Sequence, residues 1–285
     1  MKAIANEPLA EHVISARQNW WDIGLGELWR YRDLIMLFVR RDFVAMYKQT
    51  ILGPLWFIIQ PLLTTLMYTV IFANIAKIST AGLPPVLFYM SGTVAWTYFS
   101  TSLLKTSETF VQNANIFGKV YFPRLAVPIS VVISNLIQFF IQLGLLLVVM
   151  LIYGLQGIKF NLGYNILLIP FLLVILAGLG LGCGIIVSSL TTKYRDLRYL
   201  VAFGVQLWMY ATPVIFPLSS IKGKYRIFFI VNPITGVIES FKTILLGVGE
   251  LNFSHLAYSA FFMALTIMAG VLLFNRIERN FMDYV

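Results

Sequence analysis

Charge is what this sequence has least of. Asp, Glu, Lys and Arg make up only 12% of its 285 residues, and none occurs in 49–76, 78–104, 125–158, 160–192, 199–221 or 251–275. A soluble domain is about a quarter charged, so this chain has too little polar surface to cover a globule in water. Histidine is nearly missing too: His12 and His255 stand far apart, and the one cysteine, Cys183, lies inside an apolar run. That excludes a disulfide framework and any cluster with metal-ligand spacing, and Cys183 reads as a small packing residue. There is no G-x-x-x-x-G-K-[ST] loop and no identifiable Ser-His-Asp set, so neither ATP binding through a P-loop nor triad chemistry belongs to this chain. The visible acid–base pair, Arg195 and Asp196, reads as a loop salt bridge. The apolar runs hold no carboxylate to bind a driving ion, and no inverted repeat is visible, which disfavours an ion-coupled carrier. The first twenty residues lack an apolar core of signal-peptide length, so no cleavage is expected there.

What is present is apolar and long. Hydrophobic residues reach 59% and mean hydropathy is +0.82. A membrane-crossing helix needs about 20 mostly apolar residues, and each charge-free window holds one. The expectation is an all-α polytopic membrane protein with six transmembrane helices, at about 52–76, 86–104, 127–153, 165–190, 199–216 and 256–275. The runs are apolar on all sides and do not alternate, and lipid requires every backbone polar group to be paired internally; both favour helices over strands. With the N-terminus inside, fifteen Lys and Arg fall on the inner side and six on the outer, so both termini are placed in the cytoplasm. The outer segment 217–255 holds a moderately apolar piece broken at Asn232-Pro233, with Glu239 and Lys242 inside it. It reads as re-entrant helices before the last span. Residues 1–26 form an N-terminal cytoplasmic extension and 27–285 a single transmembrane domain. Within the latter, 27–48 reads as an amphipathic interfacial helix: Arg30, Asp33, Arg40, Arg41 and Lys48 share an arc opposite Leu28, Tyr31, Ile35, Phe38, Val39, Phe43 and Met46, with Arg32 and Asp42 off the pattern.

A pore or scaffold without chemistry of its own needs a partner that supplies energy, and the loop "KTSETFVQNANIFGKVYFPR" (105–124) is the candidate docking element. Thr106 or Ser107 is expected to cap a short helix over 108–116 and Gly118 to end it. The polar residues of that helix would form a cytoplasmic knob.

Five stretches then carry a resemblance: "YKQTILGPLWFIIQP" (47–61), "GKVYFPRLAVP" (118–128), "TTKYRDLRYL" (191–200), "MYATPVIFP" (209–217) and "NPITGVIESFK" (232–242). In this order and spacing they resemble the membrane permease subunit of ABC-type polysaccharide exporters, which handle O-antigen, capsule and teichoic acid, from about residue 30 onward. The resemblance implies a bacterial inner-membrane homodimer that works with two separate ABC ATPase subunits, which bind the ATP and Mg. A lipid-linked or polymeric glycan, O-antigen foremost, would pass through a canal between the copies; nucleic acid has no part in it. It implies a coupling helix at 107–118, with Ser107, Glu108, Gln112, Asn113, Asn115 and Lys119 as ATPase-coupling residues. For the glycan path it leaves Tyr68, Tyr89, Trp96, Tyr98, Trp208 and Tyr210, because aromatic rings stack on sugar C–H faces. A lipid-phosphate mouth would use Arg40, Arg41, Lys48 and Arg124, whose plainer role is to hold anionic headgroups. Gly53, Pro54 and Pro61 form an elbow where the chain turns from the interface into the bilayer, Pro being tolerated in a first helical turn. Two rival readings stay open: the same architecture exporting small amphipathic drugs or lipids, and a membrane enzyme acting on lipid-linked sugars.

Overall fold

The computed structural model describes residues 25–278 apart from 49–50, 118–121, 161–162, 192–193, 195, 222 and 250. The described residues form helices and no strand: α1 (Leu25–Arg30), α2 (Arg32–Tyr47), α3 (Trp56–Tyr68), α4 (Pro85–Ser107), α5 (Thr109–Gln112), α6 (Ala114–Phe117), α7 (Ala126–Leu155), α8 (Ile169–Thr191), α9 (Leu197–Tyr210), α10 (Tyr225–Val231), α11 (Pro233–Leu246) and α12 (Phe253–Glu278). Four helical stretches are long and apolar enough to cross a membrane: Gly53–Ile75, Ala126–Leu155, Tyr164–Thr191 and Phe253–Arg276. A fifth appears if α10 and α11, bent by 88° at Asn232, count as one span.

α4 is long enough but too rich in hydroxyls to stand among them, and its position explains why. It packs against α3, α7, α8, α9 and α11, and it is buried almost throughout. Most of its hydroxyls are therefore enclosed by protein, with Thr97, Ser100 and Thr101 half-buried. They bond back to their own helix, Ser91 Oγ to Phe88 O at 2.9 Å and Thr93 Oγ1 to Tyr89 O at 2.7 Å.

The close approach of α4, α8 and α12 rests on "GLGLGCG" in α8. A Cβ on Gly180 or Gly184 would lie within 3 Å of Ser102 or Thr106 of α4; one on Gly178 or Gly182 would lie within 3 Å of Met263 or the Thr266–Ile267 backbone of α12. Two small-xxx-small pairs thus serve two opposite neighbours. Between apolar helices, van der Waals packing of this kind drives association.

α9 differs from the expected span 199–216: it stops at Tyr210. Pro213 cannot donate to the helical ladder and restricts the residue before it, so 211–216 is a series of turns. At about 1.5 Å per residue, its 14 residues reach about 21 Å, short of the ~30 Å hydrocarbon layer. The freed carbonyls are taken from outside. Lys242 Nζ donates to Pro213 O and Val214 O, and Asn232 Nδ2 donates to Ala211 O at 2.9 Å. Asn232 Oδ1 also caps α11 by accepting from Ile234 N at 3.1 Å; Pro233 opens the helix and Gly247, at φ +72°, closes it.

The single helix expected over 27–48 is interrupted at Tyr31. Its charged arc is exposed as expected, but its apolar side docks on protein rather than wholly on lipid. Leu28 and Phe38 belong to a second core with Phe110, Phe117, Phe122, Val271 and Phe274, while Trp29, Met36 and Leu37 stay exposed. Met46 and Gln49 lie outside what is described, as do residues 1–24 of the N-terminal extension.

Candidate functional site

The connection from α4 to α7 begins without the expected cap. Ser107 Oγ bonds back to Leu104 O at 2.6 Å, and Thr106 Oγ1 is buried without a partner, because α4 runs straight through both residues. The single helix over 108–116 is instead two turns, α5 and α6, broken at Asn113. Gly118 and Lys119 lie outside the described residues, as does the side chain of Asn115. Glu108 accepts from Gln112 Nε2 at 2.6 Å, and with Ser107, Val111, Thr191 and Arg198 these two line a small cleft. Val111 and Gln112 are exposed. Asn113 is buried; its Nδ2 donates to Thr109 O at 2.9 Å, and its Oδ1 accepts from Arg41 Nη1 at 3.4 Å. Thr191 Oγ1 donates to Ser107 O at 3.1 Å. The connection is thereby tied to α2 and to the end of α8 as well as to α4. Thr191 and Arg198 are not legible in sequence as part of this cleft because they are remote in the chain; Arg195 lies outside the described residues.

Of the four basic residues named for a phosphate mouth, Arg40 and Lys48 are exposed. Arg41 is engaged: it pairs with Asp42 at 2.8 Å, and its guanidinium lies 4.8 Å from the Phe38 ring centre. Arg124 is half-buried over Phe117 at 5.9 Å. Gly53 stands at φ +49°, a conformation suited to glycine, and Pro54 follows in a short 3₁₀ turn. Pro61 is buried inside α3, where it leaves the Phe57 carbonyl without its helical donor. α3 then widens into a seven-residue π segment, Thr69–Ile75.

The six aromatic candidates divide by position. Tyr89, Trp96 and Tyr98 are buried on α4. Tyr98 meets Phe139 at 5.4 Å with the rings tilted by 60°, and Tyr89 meets Tyr68 edge-on at 6.2 Å. Tyr68 donates to Met209 Sδ at 3.3 Å, joining α3 to α9, and Trp208 meets Phe99 edge-on at 5.4 Å. Tyr210 is exposed. α3 and α9 together present a broad open face with Leu63, Leu66 and Met67 on one helix and Leu200, Phe203 and Leu207 on the other. That face differs from the other exposed helix faces. Gln60 and Gln206 stand open on it, whereas the exposed side chains along the middle of α7, α8 and α12 include Phe140, Val148, Val174, Leu265 and Met268.

Lys242 was the residue least legible in sequence. Counted among outer basic residues, it is in fact 3% exposed, with Nζ on two carbonyls and 3.7 Å from the Phe88 ring centre. Gly92 makes room for it, since a Cβ there would meet Lys242 Cε and Val214 O at 3.0 Å. A cation inside an otherwise apolar stretch, with a Pro-broken helix elsewhere in the chain, is the signal that could have found it. No His, Cys, Asp and Glu cluster suited to a metal exists among the described residues.

The bundle defines the class: among the described residues, an all-helical membrane protein whose α4–α7 connection is tied to α2 and α8. Residues 33–246 match the model of the ABC-2 type transporter family, and the chain belongs to that family. It is 30% identical over 220 residues to the O-antigen export system permease protein RfbA of Myxococcus xanthus, covering 76% of this chain and 82% of that one. It is 27% identical to the Klebsiella pneumoniae protein of the same name, covering 88% and 94%. The polysialic acid transport protein KpsM of Escherichia coli is 24% identical, covering 80% and 86%.

Proposed function

We propose that this chain is the transmembrane subunit of an ATP-driven exporter that moves a lipid-linked or polymeric glycan, of the O-antigen kind, across the bacterial inner membrane. The observation that carries this reading is the similarity to O-antigen permeases over 76–88% of the chain. Six crossings are then α3 with its π segment, α4, α7, α8, α9 continued by the turns 211–216, and α12, with α10 and α11 re-entrant. Both termini and α5–α6 face the cytoplasm. Two ATPase subunits, holding ATP and Mg, dock beneath on Glu108, Val111 and Gln112. Their motion reaches α4 through Glu108 at its C-terminus, α8 through Thr191 and α2 through Asn113 and Arg41.

The second copy of the chain covers the open face of α3 and α9. Polar side chains within spans turn away from lipid, toward protein or a water-filled cavity, and Gln60 and Gln206 mark this face as such a wall. Tyr210 offers a ring to passing sugar, with Trp208, Tyr68 and the buried α4 aromatics behind it. Arg40 and Lys48 would meet a lipid pyrophosphate; Arg41 ties α2 to the α4–α7 connection through Asn113.

The test is complementation. A strain lacking its own O-antigen permease receives this chain with its cognate ATPase, and surface glycan is measured. The expected outcome is restored glycan that disappears when the ATPase is inactivated. Modification of lipid-linked sugar without any ATPase would instead favour an enzyme, and drug efflux without glycan would favour the small-substrate exporter.

A further inference from the structure

At the end of the bundle opposite α5 and α6 lies a cavity of ≈ 530 Å³, within the ~300–1,000 Å³ usual for small-molecule sites. The α3–α4 loop, the 3₁₀ turn at Leu218–Ser220, α10, α11 and the start of α12 enclose it. Its polar lining is Ser219, Arg226, Glu239, Ser240, Asn252 and His255. We infer that this cavity binds a neutral saccharide unit through vicinal hydroxyls, as an exit subsite for the exported glycan; the choice of cargo rests on the exporter reading above.

The chemistry selects the ligand class. Glu239 spends one bond, accepting from Leu218 N at 3.2 Å through Oε1. A carboxylate has about four acceptor positions, so capacity for two ligand hydroxyls remains. Asn252 Oδ1 accepts from His255 N at 3.2 Å, which leaves its NH₂ as a donor. Ser219 on the exposed turn and Arg226 at the rim add further groups. Lys242, the cation on the cavity's inner wall, is committed to the Pro213 and Val214 carbonyls and the Phe88 face. An anion would therefore meet the Glu239 carboxylate, and the one other described cation of the lining, Arg226, is exposed. A metal ion would find a single carboxylate among the described lining residues. A neutral polyol matches the mixed donors and acceptors and requires no charge.

The site is also preformed. A Cβ on Gly236 would meet His255 Cβ at 3.0 Å, so α11 and α12 pack without a gap beneath it. Ser259 Oγ donates to Pro233 O and to His255 O, holding the bend of α10 and α11 to α12. Ala81, in the loop that forms one wall, sits at φ +55°. Non-glycine residues hold such a conformation only where the surroundings impose it.

The experiment uses the full chain in lipid nanodiscs. Saturation-transfer NMR and calorimetry follow binding of neutral hexose and N-acetylhexosamine disaccharides, with inorganic pyrophosphate as competitor. At least one neutral disaccharide should bind, and pyrophosphate should not displace it. Glu239→Gln should weaken binding about tenfold, the weight of one charge-assisted hydrogen bond. Ser219→Trp, on an exposed turn away from the core, should block the mouth and abolish binding while the protein stays folded. Absence of neutral-sugar binding, displacement by pyrophosphate, or undiminished binding in Ser219→Trp overturns the site. A chain that restores surface glycan yet binds no disaccharide refutes the subsite alone. One that binds sugar but restores no glycan refutes the exporter reading instead.

Discussion

At the scale of single residues, the outer end of α9 depends on one side chain from another helix. Lys242 fills the vacancy that Pro213 creates, because a broken helix leaves carbonyls that lipid or protein interior cannot hydrate. Lys242→Met keeps the apolar stem and removes the donor. It should cost about 1–3 kcal/mol, the penalty for stranding buried acceptors, read as a lower thermal-unfolding midpoint of the purified protein. An unchanged midpoint would show that the Pro213 and Val214 carbonyls find other donors. Gly53 makes a different demand. At φ +49° a side chain is strained, at roughly 1–2 kcal/mol for a left-handed residue. Gly53→Leu should therefore insert and accumulate normally but export less glycan; full export would mean that the turn into α3 does not require the left-handed conformation. The elbow was legible from Gly-Pro in sequence, since the turn is local. The bond from Lys242 to Pro213 was not, since its partners lie 29 residues apart.

At the scale of elements, the first part of the α4–α7 connection is tied to other helices. Asn113 meets Arg41 of α2, and the Ser107 carbonyl accepts from Thr191 of α8. Val111 and Gln112 are exposed and Glu108 is half-buried, and the proposed ATPase contact falls on these three. Glu108→Lys combined with Gln112→Lys breaks the one side-chain bond between them and reverses the local charge without touching the tethers. ATPase co-purification should fall at least about tenfold, while the stability of the permease changes by less than about 0.5 kcal/mol, as expected for surface substitutions. Undiminished co-purification would move the docking site off α5. The sequence pattern predicts one helix over 108–116 capped at Thr106 or Ser107; the structure has two turns, α5 and α6, and α4 runs through both expected caps. A hydroxyl near a helix end serves equally as an N-cap or as a back-bonding interior residue, and only the continuation of α4 through Ser107 distinguishes the two.

At the scale of the whole molecule, the open face of α3 and α9 is the largest consequence. Lipid can cover exposed Leu and Phe on any helix, so apolar exposure alone says nothing about a second copy. The assignment to a second copy rests on Gln60 and Gln206, exposed amides on a face otherwise formed by Leu63, Leu66, Met67, Leu200, Phe203 and Leu207. In a Cys183→Ser background, Gln206→Cys should cross-link between two copies in native membranes with a short bifunctional thiol reagent. Val148→Cys, on the exposed face of α7, should not. Equal cross-linking at both positions would remove the assignment of this face to the partner copy.

The sequence by itself determined the class of the molecule. Charge-free windows of membrane length leave helices as the way to pair the backbone, and 126–155, 164–191 and 253–276 fall within a few residues of the expected limits because hydropathy is summed along the chain. The break at Asn232-Pro233 was equally local. Only the tertiary structure decided which helix lies at the centre, since hydroxyl-rich α4 is acceptable only when protein surrounds most of it. It also decided which side chains take up the carbonyls beyond α9, which face of the N-terminal helix rests on protein, and that alternate glycines of α8 serve opposite neighbours. Each of these depends on groups distant in sequence meeting at about 3 Å. Periodicity and composition describe one helix at a time and carry no record of such meetings.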